Sequence, residues 1–96
     1  MNLDRITSTP WMNPGGYWSA LTAATSTLDT PFGVVSQAAL AHNAHDLLDR
    51  RTARGGVTTI RVATKSLRVR AAIEAVEALD GYHGVLAYTL AEALWL

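Results

Sequence analysis

The sequence predicts an α/β chain built on parallel strands, and three stretches carry that prediction. A β-branched run, Val57 to Thr64, is followed by apolar residues at helical spacing: Val69, Ile73, Val76 and Leu79. A second strand-type run, Val85-Leu86-Ala87-Tyr88, leads into the helix-opening pattern Thr89-Leu90-Ala91-Glu92. Ahead of both, the apolar run Phe32-Gly33-Val34-Val35 precedes a third helical pattern. Strand, helix, strand, helix, strand and helix start, in that order, imply parallel strands joined by right-handed crossovers.

Each element has a local cause. Residues 1–30 form an amino-terminal arm: Pro10, Pro14, Gly15 and Gly16 punctuate it, and a short helix over Tyr17 to Thr27 places Leu21, Ala24 and Leu28 at helical spacing before the break at Pro31. Ser36 is positioned to cap a helix through Asp49 or beyond, with Leu40, Ala44, Leu47 and Leu48 as its apolar stripe. Arg50, Arg51 and Arg54 load its last turns, where cations suit the helix dipole, and Gly55-Gly56 supplies the stop. The next helix is expected from Ser66 to Leu79, closed by Asp80-Gly81. The last begins at Thr89, where the hydroxyl and the Glu92 carboxylate can satisfy free amides.

Parallel sheets need helices on both faces or closure into a barrel, whose usual length is about 250 residues. The 96 residues here cannot close one. The expectation is therefore a partial (β/α) TIM-type barrel, about three β-α units from the amino-terminal part of a larger protein, with residues 31–96 as its start. A three-stranded module standing alone is the competing expectation.

Composition removes several function classes. Eight Lys plus Arg balance eight Asp plus Glu, and no basic face carries interleaved aromatics, so neither a nucleic-acid nor an anionic-membrane partner is expected. Apolar runs fall far below the roughly 20 residues of a membrane span, and no signal-peptide pattern opens the chain. The absence of cysteine suits a reducing cytoplasm, the expected location.

The only lysine, Lys65, ends the run Ile60-Arg61-Val62-Ala63-Thr64-Lys65-Ser66. Carboxyl ends of parallel strands form the active face of α/β proteins. By the two-residue period of a strand, Ile60, Val62 and Thr64 share one face, and Arg61, Ala63 and Lys65 the other. If the apolar set packs under helices, the lysine points into the barrel mouth, where partial desolvation would lower its ammonium pKa and free the amine to attack a carbonyl. A solvated lysine at a strand end is the plain alternative.

From Thr30 to Leu96 the chain resembles the alanine racemase-type (fold-type III) family of pyridoxal-phosphate enzymes, most closely its bacterial amino acid deaminase/aldolase and D-threonine aldolase or D-serine dehydratase-like group. The resemblance lies in Thr30-Pro31-Phe32-Gly33-Val34-Val35 leading to Asn43, in the Lys65 strand, and in Gly84-Val85-Leu86-Ala87-Tyr88-Thr89-Leu90-Ala91-Glu92-Ala93. It implies that Lys65 is both the catalytic residue and the residue that binds pyridoxal 5'-phosphate covalently. It further implies an amino acid substrate and lyase or racemase chemistry at the α-carbon. In full-length relatives it implies a homodimer and, in one branch, a divalent metal, for which this chain holds no ligands. The residues that choose among outcomes lie on later strands in that family, so the chain is expected to be inactive alone. The rival expectation is a non-catalytic interaction module, or a subunit that completes its sheet against another chain, motivated by the apolar end Leu90 to Leu96.

The remaining candidates have simpler expectations. Arg61, about 13 Å below Lys65 by strand rise, should pair with a carboxylate on a neighbouring strand. Arg68 and Arg70 are expected in solvent, with Arg70 near Glu74. His42, His45 and Asp46 permit metal ligation by spacing but belong to a polar helix face, as does Asn43. Thr89 and Glu92 are read as helix caps, His83 as a loop residue away from the active end, Trp11, Tyr17 and Trp18 as packing anchors, and Trp95 as a core residue.

Overall fold

The structure, a computed structural model describing all residues 1–96, holds four α-helices and one pair of parallel strands. A 3-10 turn, Pro10–Met12, precedes α1 (Pro14–Thr25). Then follow α2 (Gln37–Ala53), β1 (Ile60–Ala63), α3 (Arg70–Glu77), β2 (Tyr82–Leu86) and α4 (Leu90–Trp95). The α/β class and the parallel crossover through α3 are as expected. The partial barrel of about three β-α units is not: the sheet has two strands and no barrel curvature can arise from a single pair. The missing strand is Phe32 to Val35, which is irregular because no neighbour takes its backbone amides, and Phe32 and Val34 remain exposed.

Local chemistry explains the elements that do form. Ser36 Oγ accepts the amide of Ala39 and opens α2, which ends where the Gly56 amide donates to the Arg51 carbonyl around Gly55 at positive φ. Asn13 Oδ1 accepts the amide of Gly16 to start α1 behind Pro14. α3 begins four residues later than Ser66, because Thr64 and Lys65 form a turn; Val69 instead provides the carbonyl that accepts from Ala72 and Ile73. The strands pair Ile60 with Tyr82 and Val62 with Val85, so β2 contains one extra residue between the pairs. Gly84, at φ 77°, allows that bulge, and a side chain there would meet the Arg61 guanidinium at 3.0 Å.

Packing lies on one face of the pair. Ala41, Ala44 and Leu48 of α2, Val76 of α3 and Tyr82 form a buried cluster with Leu3 of the amino-terminal segment, and Ile60, Val62, Leu40 and Ile6 pack against it. The apolar stripe of α2 therefore runs through Ala41, Ala44 and Leu48, and Leu47, expected on it, is half exposed. The Tyr82 hydroxyl donates to the Ala44 carbonyl at 3.0 Å, and burial pushes its phenol above the ordinary pKa. The amino-terminal segment is also held from outside: Arg5 donates through both terminal nitrogens to Asp49, at 2.8 and 2.6 Å, holding that carboxyl below its usual range.

The opposite face of the sheet has no helix over it. Overall extents of 41 × 35 × 18 Å match one helix layer on one strand layer. Only nine of the 96 residues are buried, while Leu86, Tyr88, Leu90, Leu94 and Trp95 are exposed, so Trp95 is not a core residue. α1 buries nothing; Trp18 is exposed and meets only Tyr17 edge-on, at 5.6 Å. No helix is long and apolar enough to cross a membrane.

Ile73→Ala, at a site 3 % exposed, is expected to lower unfolding free energy in urea titration by about 2–5 kcal/mol. Leu47→Ala should stay within about 0.5 kcal/mol of wild type. Equal losses would mean that the stripe of α2 is the one read from the sequence.

Candidate functional site

The carboxyl ends of both strands meet the start of α4, and a buried hydroxyl joins them. Thr64, one residue beyond β1, is wholly buried; its Oγ1 donates to Glu92 Oε1 at 2.8 Å and lies 3.4 Å from the Leu86 carbonyl. Its amide donates to the same carbonyl at 3.3 Å, extending the ladder past β1. A hydroxyl removed from water needs such a partner, since leaving it unpaired costs about 1–3 kcal/mol.

Glu92 serves more than its own helix. Its amide donates to Thr89 Oγ1 at 3.1 Å, the expected half of the cap. Its Oε2 accepts from the Tyr88 amide, at 2.8 Å, one residue before the capping threonine, which leaves Oε1 for Thr64. Arg68 Nε stands 3.8 Å from Oε1, and only 13 % of the Glu92 side chain is exposed. The Thr64 hydroxyl, then the Tyr88 amide, hold the Glu92 carboxyl below the usual glutamate range, so it is ionised at neutral pH.

Beside this carboxylate lies an open cleft of about 380 Å³ lined by Arg68, Tyr88, Thr89, Glu92 and Trp95. The Arg68 guanidinium sits 6.0 Å from the Tyr88 ring centre, and Arg70, paired with Glu74 at 2.8 Å, lies 5.5 Å from that of Trp95. Arg68 was expected in solvent with Arg70; its exposed side chain is nonetheless part of the cleft wall.

Lys65 lies in the turn after Thr64 and is exposed, not partly desolvated as the sequence reading expects. The alternation expected of the strand is present: Ile60 and Val62 are half-buried toward the core, Thr64 is buried, and Arg61, Ala63 and Lys65 are exposed. All four ion pairs of the protein use arginine, so the single lysine is left without a carboxylate. Lys65 does not line the cleft itself.

Other candidates sit elsewhere. Arg61 enters no ion pair; its guanidinium lies against Gly84 instead of a carboxylate. His45 donates a ring N–H to the Leu3 carbonyl at 2.8 Å, Asp46 pairs with Arg50 at 2.8 Å, and His42 meets Trp11 edge-on at 5.3 Å. A polar hollow of about 190 Å³ bounded by Arg5, Ile6, His42, His45, Asp46 and Asp49 adjoins them, yet no three of its His and Asp side chains are placed so that they could hold one metal ion. Asn43 faces solvent, and His83 is exposed near the start of β2, away from Lys65. The residue that sequence reasoning undervalued is Thr64, together with the second task of Glu92; the threonine on the inner parity of a strand was the available signal.

A lowered folded pKa for Glu92 means that its contribution to stability is complete above the unfolded value and is lost as pH falls through the folded one. The Tyr88 amide resonance, followed during acid titration, should therefore move with a midpoint below the ordinary glutamate value, and Glu92→Gln should remove that step. A midpoint at or above the ordinary value would show that the Thr64 bond does not favour the charged form. Comparison with known proteins gives no match to any family model, curated protein or solved structure, so the residues themselves must carry the functional argument.

Proposed function

We propose that this chain bears the cofactor-binding lysine of a pyridoxal 5'-phosphate-dependent enzyme of the amino acid deaminase/aldolase kind, acting as a lyase or racemase at the α-carbon. The observation that carries the reading is Lys65: the one lysine of the chain, exposed, without an ion-pair partner, in the turn at the carboxyl end of a parallel strand. A strand end of this kind is where α/β proteins place their chemistry.

The residues present fit the cofactor at its reactive carbon. The Lys65 amine is exposed and no carboxylate occupies it, so it is accessible to an aldehyde. Lys65 would hold the aldehyde carbon. Arg68, three residues on, makes only a 3.8 Å contact to Glu92 and retains its hydrogen-bond donors for an anionic group. When bound, the pyridine ring supplies an electron sink for the α-carbon of an amino acid. With the group bound, the Lys65 amine would also be the residue that moves a proton at that carbon. Tyr88 and Leu86 flank this end of the sheet as apolar surface, but with their present exposure they exclude little water.

To test the reading, the folded chain is mixed with pyridoxal phosphate, reduced with borohydride and mapped by mass spectrometry. Modification is expected at Lys65 ahead of the Met1 amine, with loss of the visible band in Lys65→Ala. Modification confined to Met1, in protein whose circular dichroism shows it folded, would refute the assignment.

A second reading is favoured by the bare sheet face: a non-catalytic module that completes its sheet against another chain. Parallel strands are almost always covered on both sides. That reading predicts association in sedimentation equilibrium that Leu86→Glu reverses. A monomer over the whole concentration range would count against it.

A further inference from the structure

We propose that Glu92 is the positioning residue of the Lys65 amine: its carboxylate takes the Thr64 hydroxyl and the Tyr88 amide, both at 2.8 Å, and so fixes the roll of the strand end on which the lysine stands. Its functional meaning rests on Lys65 being the cofactor lysine, whereas the geometry does not. Thr64 and Lys65 are consecutive residues of the turn that follows β1, one buried and the other exposed, so anchoring the Thr64 side chain restricts where the backbone can place its neighbour. Thr64 is 0 % exposed and has no water to turn to. Without Glu92 its only remaining acceptor is the Leu86 carbonyl at 3.4 Å, too long for a good hydroxyl bond. Glu92 reaches the lysine segment from both directions, through Thr64 before it and through Arg68 Nε at 3.8 Å after it. Local capping of α4 requires neither contact: the Thr64 bond crosses 28 residues of sequence.

The test compares Thr64→Val, Thr64→Ser and Glu92→Gln with wild type in the full chain, using two readouts. The first is the rate of Lys65 adduct formation with pyridoxal phosphate, together with the circular dichroism induced in the cofactor band. The second needs no cofactor: the acylation rate of Lys65 relative to the Met1 amine in the same molecule, and the NMR order parameter of the Lys65 side chain.

Thr64→Val, nearly isosteric, should slow adduct formation about tenfold or more, as expected for a misplaced reacting group, and should abolish the induced dichroism. It should also lower the Lys65 order parameter and shift the acylation ratio, and Thr64→Ser, which restores the hydroxyl, should return all four toward wild type. Glu92→Gln should change them in the direction of Thr64→Val, and serves in its place if the valine variant does not fold. The proposal is overturned if folded Thr64→Val or Glu92→Gln matches wild type, or if Thr64→Ser falls as far as Thr64→Val. Should wild type form no Lys65 adduct at all, the cofactor reading fails, while the acylation ratio and the order parameter still decide whether Glu92 positions the amine.

Discussion

A parallel strand pair covered on one face is the constraint from which the rest of this structure follows. Such strands cannot be joined by a tight hairpin, so a helix must cross between them, and α3 does so, burying Ala72, Ile73 and Val76. One short helix is too narrow to cover the strands alone. α2 lies alongside with its small-residue stripe, and Leu3 fills the remaining edge, tied down by Arg5 to Asp49 and by His45 to the Leu3 carbonyl. Two of the three buried positions of α2, Ala41 and Ala44, are small, and the third is Leu48. This apolar burial leaves Arg61 and Ala63 of β1, and Lys65 in the turn after it, exposed.

At the carboxyl end the governing interaction is the bond between Thr64 and Glu92. Two contacts to this carboxylate differ in weight. A buried hydrogen bond to a charged group contributes about 1.5–3 kcal/mol, whereas an exposed arginine at salt-bridge distance contributes about 0–1 kcal/mol. Arg68 is mostly exposed and 3.8 Å away, so Thr64 and the Tyr88 amide, not Arg68, determine where Glu92 sits. The arginine is held only loosely by that pairing, while the carboxylate is committed to the fold.

The sequence was most legible where a local signal coincided with a tertiary requirement. Ser36 and Thr89 cap the helices they were expected to cap, Gly55 and Gly81 take positive φ where helix stops were expected, and the alternation of burial along Ile60 to Thr64 was readable from Ile60 and Val62 alone. Legibility failed where a neighbour decides the outcome. Phe32 to Val35 has strand composition but no partner, and without that third strand the barrel expectation has no sheet to curve. Ser66 has the chemistry of a cap, but the turn after the buried Thr64 delays α3 to Arg70. Glu92 was legible as a cap and illegible as the partner of Thr64, since no local pattern announces a bond spanning 28 residues.

The two ends of the strand pair use their charges differently, and this asymmetry bears on where chemistry can occur. Near the amino ends, Arg51 donates to the carbonyls of Thr58 and Gly81, and Glu77 accepts the Gly84 amide at 2.6 Å, so these charges hold loops and the bulge in place. Near the carboxyl ends, Lys65 has no ion-pair partner, and Arg68 has one distant one, a carboxylate already fixed by neutral donors. A charge engaged in the fold cannot also bind or react without loosening it. Arg54, Arg61 and Lys65 make no ion pair, and of these three only Lys65 stands just past the carboxyl end of β1.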